Sequence, residues 1–300
     1  MRAITILLCA LASCSAYAKL TVATSSEDLA AITRAVGGDA VDAHSLTPGG
    51  ANPHYAEAKP SMIRRLSRAD ALLIIGAGLE AGWLPPLLEN ARNAKVLPGA
   101  AGYLDLSTAV PLLDKPAGPV SRAQGDVHAF GNPHYWLDPR NGARMAQAIA
   151  EHLSMLDPAR AAQYRDNATR FSATLTARYR EWRRQLAPLD GQAVVAYHTS
   201  LAYLADAFGF RIVDHIEPKP GVPPNAAHLQ KLLTRIAAER VRLVLMEPFY
   251  ERRSAEYLAA QAGVKVAVIP QSVGAVPAAN DYIGLFDAIV GAIRASGALS

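Results

Sequence analysis

The hydrophobic positions in the first third of the chain form short β-branched runs that alternate with stretches of three-to-four-residue period. The runs predict strands at residues 20–24, 41–46, 71–75 and 95–97, and the periodic stretches predict helices at residues 28–37, 59–68 and 84–92. This alternation is typical of a parallel sheet covered by helices on both faces. Residues 110–131 are rich in Pro and Gly and lack periodicity, which predicts a surface loop.

The longest periodic segment lies in the middle of the chain. Its apolar residues recur at steps of three and four and mark one helix face: Tyr164, Ala168, Phe171, Leu175, Tyr179, Trp182 and Leu186. Asp157 before Pro158 predicts a capped helix start, as does Asp138 before Pro139. We therefore predict one long helix over residues 157–187.

Strand–helix alternation resumes after this helix. Strands are predicted at residues 193–197, 211–213, 241–246 and 264–269, and helices at 225–239, 253–262 and 282–295. A chain of 300 residues suits two units of about 100–150 residues each. The predicted fold is α/β with two lobes, each a mainly parallel sheet flanked by helices, joined by one long rigid linking helix. The predicted division is an N-terminal lobe at 19–156, the linking helix at 157–187 and a C-terminal lobe at 188–300.

Residues 1–18 have the features of a secretory signal peptide. Arg2 supplies the positive start, residues 3–12 are apolar, and residues 16–18 form a small-x-small cleavage site. An apolar stretch of this length is too short for a membrane-spanning helix, which needs about 20 residues. We therefore expect a periplasmic protein that is cleaved after Ala18.

A second interpretation of the same segment is a lipoprotein signal. Residues 11–14 resemble a lipobox, in which Cys14 would be lipidated and become the first residue. The predicted strand at 20–24 would leave little tether, which favours cleavage after Ala18. Both cysteines, Cys9 and Cys14, lie in this segment, so we expect neither a disulfide nor a thiolate ligand in the folded part.

Charge is spread along the chain, with 30 Lys and Arg against 26 Asp and Glu and a net charge of +4. The densest basic group, Arg178, Arg180, Arg183 and Arg184, interleaves with Glu181 on the predicted long helix. A solvated helix face explains this pattern, so we expect no nucleic-acid partner.

Three of the eight histidines stand at comparable places in the predicted lobes. His54 follows a strand through a Pro- and Gly-rich turn, His134 precedes a capped helix, and His198 directly ends a strand. Ligands of open α/β sheets bind outside the carboxyl ends of strands, and imidazole is the commonest protein ligand of metals. The tripeptide Asn-Pro-His occurs at both 52–54 and 132–134, where Pro fixes the backbone before the ring. On the residues alone, a metal site and three ordinary hydrogen-bonding histidines are equally supported.

Longer motifs surround these histidines and carry a family resemblance. They are Ser-Leu-Thr-Pro-Gly-Gly-Ala-Asn-Pro-His-Tyr-Ala-Glu-Ala-Lys-Pro-Ser at 45–61, Ala-Asp-Ala-Leu-Leu-Ile-Ile-Gly-Ala-Gly-Leu-Glu at 69–80, Asn-Pro-His-Tyr-Trp-Leu-Asp-Pro at 132–139, and Tyr-His at 197–198 before Phe-Gly at 208–209. Over essentially its whole mature length, the chain resembles the ABC-transporter solute-binding proteins for zinc, manganese and iron.

The resemblance implies two lobes on a rigid linking helix, with His54, His134 and His198 as metal ligands. It implies an extracytoplasmic binding protein, not an enzyme. Such a protein captures a divalent transition metal in the cleft between its lobes and delivers it to the membrane permease of an ABC importer. We expect it to act as a monomer.

The chain departs from the family in two places. First, many members carry an acidic fourth ligand after the last strand, where this chain has Gln271. Second, many zinc binders have a His-rich loop before the second ligand, where this chain has only His128, which is interpreted as a solvated loop residue. Manganese and iron(II) favour carboxylate oxygens, whereas three imidazoles suit zinc. We therefore expect Zn²⁺ as the transported ion, with Mn²⁺ or Fe²⁺ as the alternative. Water, Gln271 and Glu247 remain open as the fourth ligand.

A zinc-dependent hydrolase is the competing interpretation from another class, because catalytic zinc also has three protein ligands and an open position. Such an enzyme needs a general base, for which Glu247 is the only candidate, and the sequence contains no His-Glu-x-x-His pair. These features favour binding over catalysis. The other histidines, His44, His152, His215 and His228, are interpreted as structural or solvated.

Overall fold

The computed structural model describes residues 18–118, 120, 125 and 128–299, so the predicted signal peptide lies outside the described residues except for Ala18. The first lobe contains β1 (Leu20–Thr24), α1 (Glu27–Gly37), β2 (Val41–Ser45), α2 (Pro60–Arg68), β3 (Ala71–Ile74), α3 (Leu84–Ala91), β4 (Tyr103–Asp105) and α4 (Pro139–Leu156). Helix α5 (Ala161–Gln185) follows it. The second lobe contains β5 (Ala193–Ala196), α6 (Ala202–Phe208), β6 (Arg211–His215), α7 (Ala226–Glu239), β7 (Leu243–Met246), α8 (Arg253–Ala262), β8 (Lys265–Val268) and α9 (Tyr282–Ala295).

Each lobe is built on a parallel four-stranded sheet, with strand orders β2-β1-β3-β4 and β6-β5-β7-β8. Every neighbouring pair of these strands is parallel, and in the first sheet Leu20 to Thr24 pair in register with Val41 to Ser45. The carboxyl ends of all strands in a sheet therefore lie at one edge. The predicted two-lobed α/β fold is confirmed.

The predicted strand at 95–97 is wrong, and the edge strand of the first sheet is β4 instead. Residues Ala94–Val96 form a 3₁₀ turn that begins where the Asn93 side chain accepts the Lys95 backbone N–H. Gly102 then lies against the chain so closely that a Cβ there would lie 2.4 Å from the Asp70 carbonyl oxygen. Only glycine fits this approach, and the chain therefore joins the edge of β3 at Tyr103, eight residues after the predicted start at residue 95. Helix α6 was not predicted because it is only two turns long.

Helix α5 begins later than its sequence signal indicated. A 3₁₀ turn at Pro158–Arg160 precedes it, and Asp157 makes no side-chain bond to a backbone N–H. Its carboxylate instead accepts hydrogen bonds from the side chains of Arg160 (2.9 Å) and Tyr164 (2.8 Å). The predicted cap at Asp138 is confirmed, since that carboxylate accepts the Arg140 backbone N–H. The predicted apolar stripe is also confirmed, with Tyr164, Ala168, Leu175, Trp182 and Leu186 buried.

One hydrophobic core is continuous across both lobes through α5. This helix packs on α1 and α4 of the first lobe and on α9 of the second. Polar contacts fix it further, because the Trp182 indole donates to Asp287 (2.8 Å) and the Tyr179 hydroxyl donates to the Ala207 carbonyl (2.5 Å). Bending α5 would expose this core, which makes the connection between the lobes rigid. Within the described part of the chain, no helix is both long and apolar enough to cross a bilayer.

Candidate metal centre

Three histidines from the two lobes converge at the carboxyl edges of the sheets. His54 lies in the loop after β2, His134 in the turn before α4, and His198 two residues after the end of β5. Each histidine offers one ring nitrogen as a ligand atom, and these three nitrogens all lie within 4.8 Å of one another. The Nε2 atoms of His54 and His134 are 3.0 Å apart. His134 and His198 are buried, and His54 is half-buried. The structure thus brings together the three residues that the sequence selected.

The repeated Asn-Pro-His tripeptide forms the same turn twice. The Oδ1 atom of Asn52 accepts the backbone N–H of His54 at 3.0 Å, and that of Asn132 accepts the backbone N–H of His134 at 3.0 Å. The proline between the two residues fixes φ, so each ring follows a preset backbone. Asn132 also contacts the ring of His134, with Oδ1 at 2.8 Å from Nδ1. The repeat itself was the sequence signal for these two asparagines.

A carboxylate orients His198. Its Nδ1 lies 2.7 Å from Oε2 of Glu217, which also accepts the backbone N–H of Gly221 at 2.9 Å. Nε2 of His198 is buried without a hydrogen-bond partner among the described residues. A carboxylate on one ring nitrogen and a free lone pair on the other is the arrangement of metal-bound histidines. Sequence reasoning missed Glu217, because nothing local connects residues 19 positions apart.

Two of the rings, those of His54 and His134, are held in their neutral form. Burial, followed by the charges of the neighbouring imidazoles, lowers the pKa of His54 and of His134 well below 6.5. Both rings are therefore uncharged at neutral pH and available as metal ligands.

Glu247 and Gln271 are buried behind the strand ends of the second lobe. Oε1 of Glu247 accepts the Ser200 hydroxyl, Oε2 has no hydrogen-bond partner among the described residues, and burial raises the pKa of this carboxyl. The Gln271 carbonyl accepts the Trp136 indole N–H at 2.8 Å, and its Oε1 has no hydrogen-bond partner among the described residues. Among the described residues, Glu247 lies outside the group of ligand atoms formed by the three histidines.

The remaining histidines occupy varied positions. His128, interpreted from the sequence as solvated, is instead half-buried with its ring centroid 5.2 Å from that of His54. His44 is exposed beside Asp42, His152 is buried in α4, and Nε2 of His228 lies 3.0 Å from the His215 carbonyl. The placement of His128 depends on a loop fold that its sequence does not specify.

Two rigidly connected α/β lobes, with imidazoles converging from both, define a cleft-type metal-binding protein. A family model described as "Zinc-uptake complex component A periplasmic" matches residues 22–296. The chain belongs to this family.

Individual relatives agree with the family. The chain is 26% identical over 247 residues to the high-affinity zinc uptake system protein ZnuA of Yersinia pestis, covering 77% of this chain and 76% of the relative. It is 25% identical over 256 residues to the metal ABC transporter substrate-binding lipoprotein SloC of Streptococcus mutans, covering 83% and 79%. A crystal structure of ZnuA matches with a TM-score of 0.76 and 27% identity over 94% of this chain and all of the other.

Family membership establishes the function in outline. The protein is an extracytoplasmic metal-binding component of an ABC importer, and its partners are a metal ion and a membrane permease. It is not an enzyme, so the hydrolase interpretation is set aside.

Proposed function

We propose that His54, His134 and His198 bind one Zn²⁺ ion through Nε2 at the boundary between the lobes, for delivery to the permease. The observation that carries the proposal is the convergence of three imidazole nitrogens within 4.8 Å. Tetrahedral zinc with Zn–N bonds of about 2.0–2.1 Å separates its ligand nitrogens by about 3.3 Å. The 3.0 Å between Nε2 of His54 and Nε2 of His134 is close to that separation.

The donor set supports zinc over manganese or iron(II). All three proposed ligands are uncharged nitrogens, and the position where many relatives carry an acid is the amide Gln271. Harder ions favour carboxylate oxygen, whereas imidazole suits zinc. The zinc-uptake names of the family and of the Yersinia relative support the same ion. Water, Gln271 or Glu247 supplies the fourth ligand of the zinc ion.

The proposal includes the route and the architecture. Residues 1–18 direct export and are removed by cleavage after Ala18, so the periplasmic protein begins at Lys19. Cys14 is removed with them and is not lipidated. It acts as a monomer, with lobes at 19–156 and 188–300 around the linking helix at 157–187.

Zinc titration against a competing chelator tests the ligand set. Replacing His54, His134 or His198 by Ala is expected to weaken zinc binding by at least about 100-fold, because even loss of a residue that only orients a ligand costs about 10–100-fold. His44→Ala is the matched control, since His44 is exposed in β2 and should leave the affinity unchanged. Wild-type affinity in His198→Ala would refute a site shared between the lobes.

A further inference from the structure

The side-chain amide of Asn132 lies buried where the two lobes meet and makes four hydrogen bonds. Its Nδ2 donates to Oδ2 of Asp114 (3.0 Å) and to the carbonyl of Thr199 (2.8 Å), the residue after His198. Its Oδ1 faces the backbone N–H and the Nδ1 of His134. One amide thus contacts the loops that carry His134 and His198.

These partners fix which way the amide points. A carboxylate and a carbonyl oxygen only accept hydrogen bonds, so the atom facing Asp114 and Thr199 is the nitrogen. The backbone N–H of His134 only donates, so the atom facing it is the oxygen. An oxygen cannot donate to Nδ1 of His134, and Nδ1 must therefore carry the proton. The lone pair of the ring then lies on Nε2, the atom that faces His54.

We propose that Asn132 is a positioning residue that sets the Nδ1–H tautomer of His134 and ties its loop to the loop of His198. The proposal rests on the proposed zinc site. The second role crosses the lobe boundary, and the Tyr203 hydroxyl of α6 reinforces it by donating to the Asn132 carbonyl at 2.7 Å. Asn52 is the internal comparison, because within the described residues its side chain makes the turn bond to His54 alone.

Two substitutions separate the two roles. Asn132→Asp keeps an oxygen acceptor for Nδ1 of His134 but places a second oxygen against the Asp114 carboxylate and the Thr199 carbonyl. It should keep the tautomer and lose the tie between the loops. Asn132→Ala removes both roles. Asn52→Ala removes the turn bond at His54 and leaves His134 untouched.

The primary readout is the tautomer of His134, by ¹⁵N NMR of histidine-labelled, metal-free protein at about pH 8, where an ordinary imidazole is neutral. The wild type, Asn52→Ala and Asn132→Asp should show Nδ1–H at His134, and Asn132→Ala should show a mixture of tautomers. Chelator competition should show a loss of zinc affinity of about 10–100-fold in both Asn132 variants. Asn52→Ala should lose less.

An Nε2–H tautomer in wild-type His134 would overturn the proposal, and that measurement needs no variant to fold. Wild-type tautomer together with wild-type zinc affinity in Asn132→Ala would overturn it as well. Failure of the zinc site is a distinct result: His134→Ala would keep its zinc affinity, while the tautomer of metal-free His134 would still be Nδ1–H.

Discussion

Asp28, in the first turn of α1, joins the first lobe to the loop after β8 in the second. Its carboxyl is fully buried, with Oδ2 accepting the Ser272 hydroxyl (2.5 Å) and Oδ1 the Val273 backbone N–H (2.9 Å). Burial raises the pKa of this carboxyl from 3.8 to about 7, against the opposing effect of these hydrogen bonds. The ionised form is therefore unfavourable in the folded protein, and we expect Asp28→Asn to stabilise the protein at alkaline pH.

The magnitude follows from the pKa. Between pH 3.8 and about 7 the folded state keeps a proton that the unfolded state has lost. The stability linked to that proton is fully present below pH 3.8 and is lost as the pH rises to about 7. At about 1.4 kcal/mol for each pH unit, the loss amounts to at most about 4 kcal/mol. Asn has no proton to lose, still accepts from Val273, and donates to the Ser272 hydroxyl, which accepts as readily as it donates.

Thermal unfolding of metal-free protein at pH 4, 6 and 8 measures this difference. The Asp28→Asn variant should match the wild type near pH 4 and exceed it increasingly towards pH 8. A chain of this size gains about 2 °C in Tm for each kcal/mol, so the gain at pH 8 is at most about 8 °C. A variant less stable than the wild type at pH 8, or a difference independent of pH, would refute the reasoning.

Glu80 provides the matched control, because burial also raises the pKa of its carboxyl to about 7. Its two oxygens accept the backbone N–H groups of Ile75 (2.8 Å) and Gly76 (3.0 Å). The NH₂ group of a glutamine there must face one of these backbone N–H groups, so two donors oppose each other. A backbone N–H cannot become an acceptor, whereas the Ser272 hydroxyl beside Asp28 can. Glu80→Gln should therefore lower Tm at pH 4, and towards pH 8 the lost hydrogen bond should offset the gain from removing the carboxyl, so that this variant gains less than Asp28→Asn.

Proton competition and metal selectivity give two further expectations for the proposed zinc site. Because burial lowers the pKa of His54 and of His134 well below 6.5, protons should compete with zinc at these two rings only well below pH 6.5. In chelator competition, the zinc affinity of the wild type should therefore fall less steeply between pH 7 and 6 than three ordinary imidazoles would require, and a loss as steep as that would contradict this expectation. Gln271→Asp should narrow the preference for zinc over manganese in competition binding, because an anionic oxygen favours the harder ion, and a wild-type preference for manganese would contradict the neutral-ligand argument.

The features that the sequence predicted share a local cause. A buried parallel strand is a short apolar run, and the residue that ends it lies at the functional edge of the sheet whatever the rest of the fold does. His198, two residues after the end of β5, is the clearest case. The stripe on α5 was equally readable, because helical period alone decides which residues share a face.

The features that escaped prediction depend on partners distant in sequence. Asp157 resembles a helix cap in the sequence, but its carboxylate accepts a hydrogen bond from the Tyr164 hydroxyl instead of from a backbone N–H. Strand β4 begins after Gly102, which lies against the Asp70 carbonyl. Asn132 was visible only as half of a repeat, while its contact with Thr199 spans 67 positions. Residues that orient the histidines are defined by such contacts, so the convergence of the three histidines was predictable and the residues that support them were not.

The charge balance of the proposed site explains how it can do without an acidic ligand. A buried divalent ion requires compensating negative charge, because the protein interior screens it poorly. Three imidazole ligands supply none, but the carboxyl of Glu217 lies one hydrogen bond behind His198. A carboxylate behind a ligand supplies negative charge without touching the ion, whereas the atoms that would touch the ion are nitrogens and discriminate between metals. With Gln271 in place of an acid, the proposed site lacks a donor suited to manganese, while Glu217 remains behind His198 as a source of negative charge.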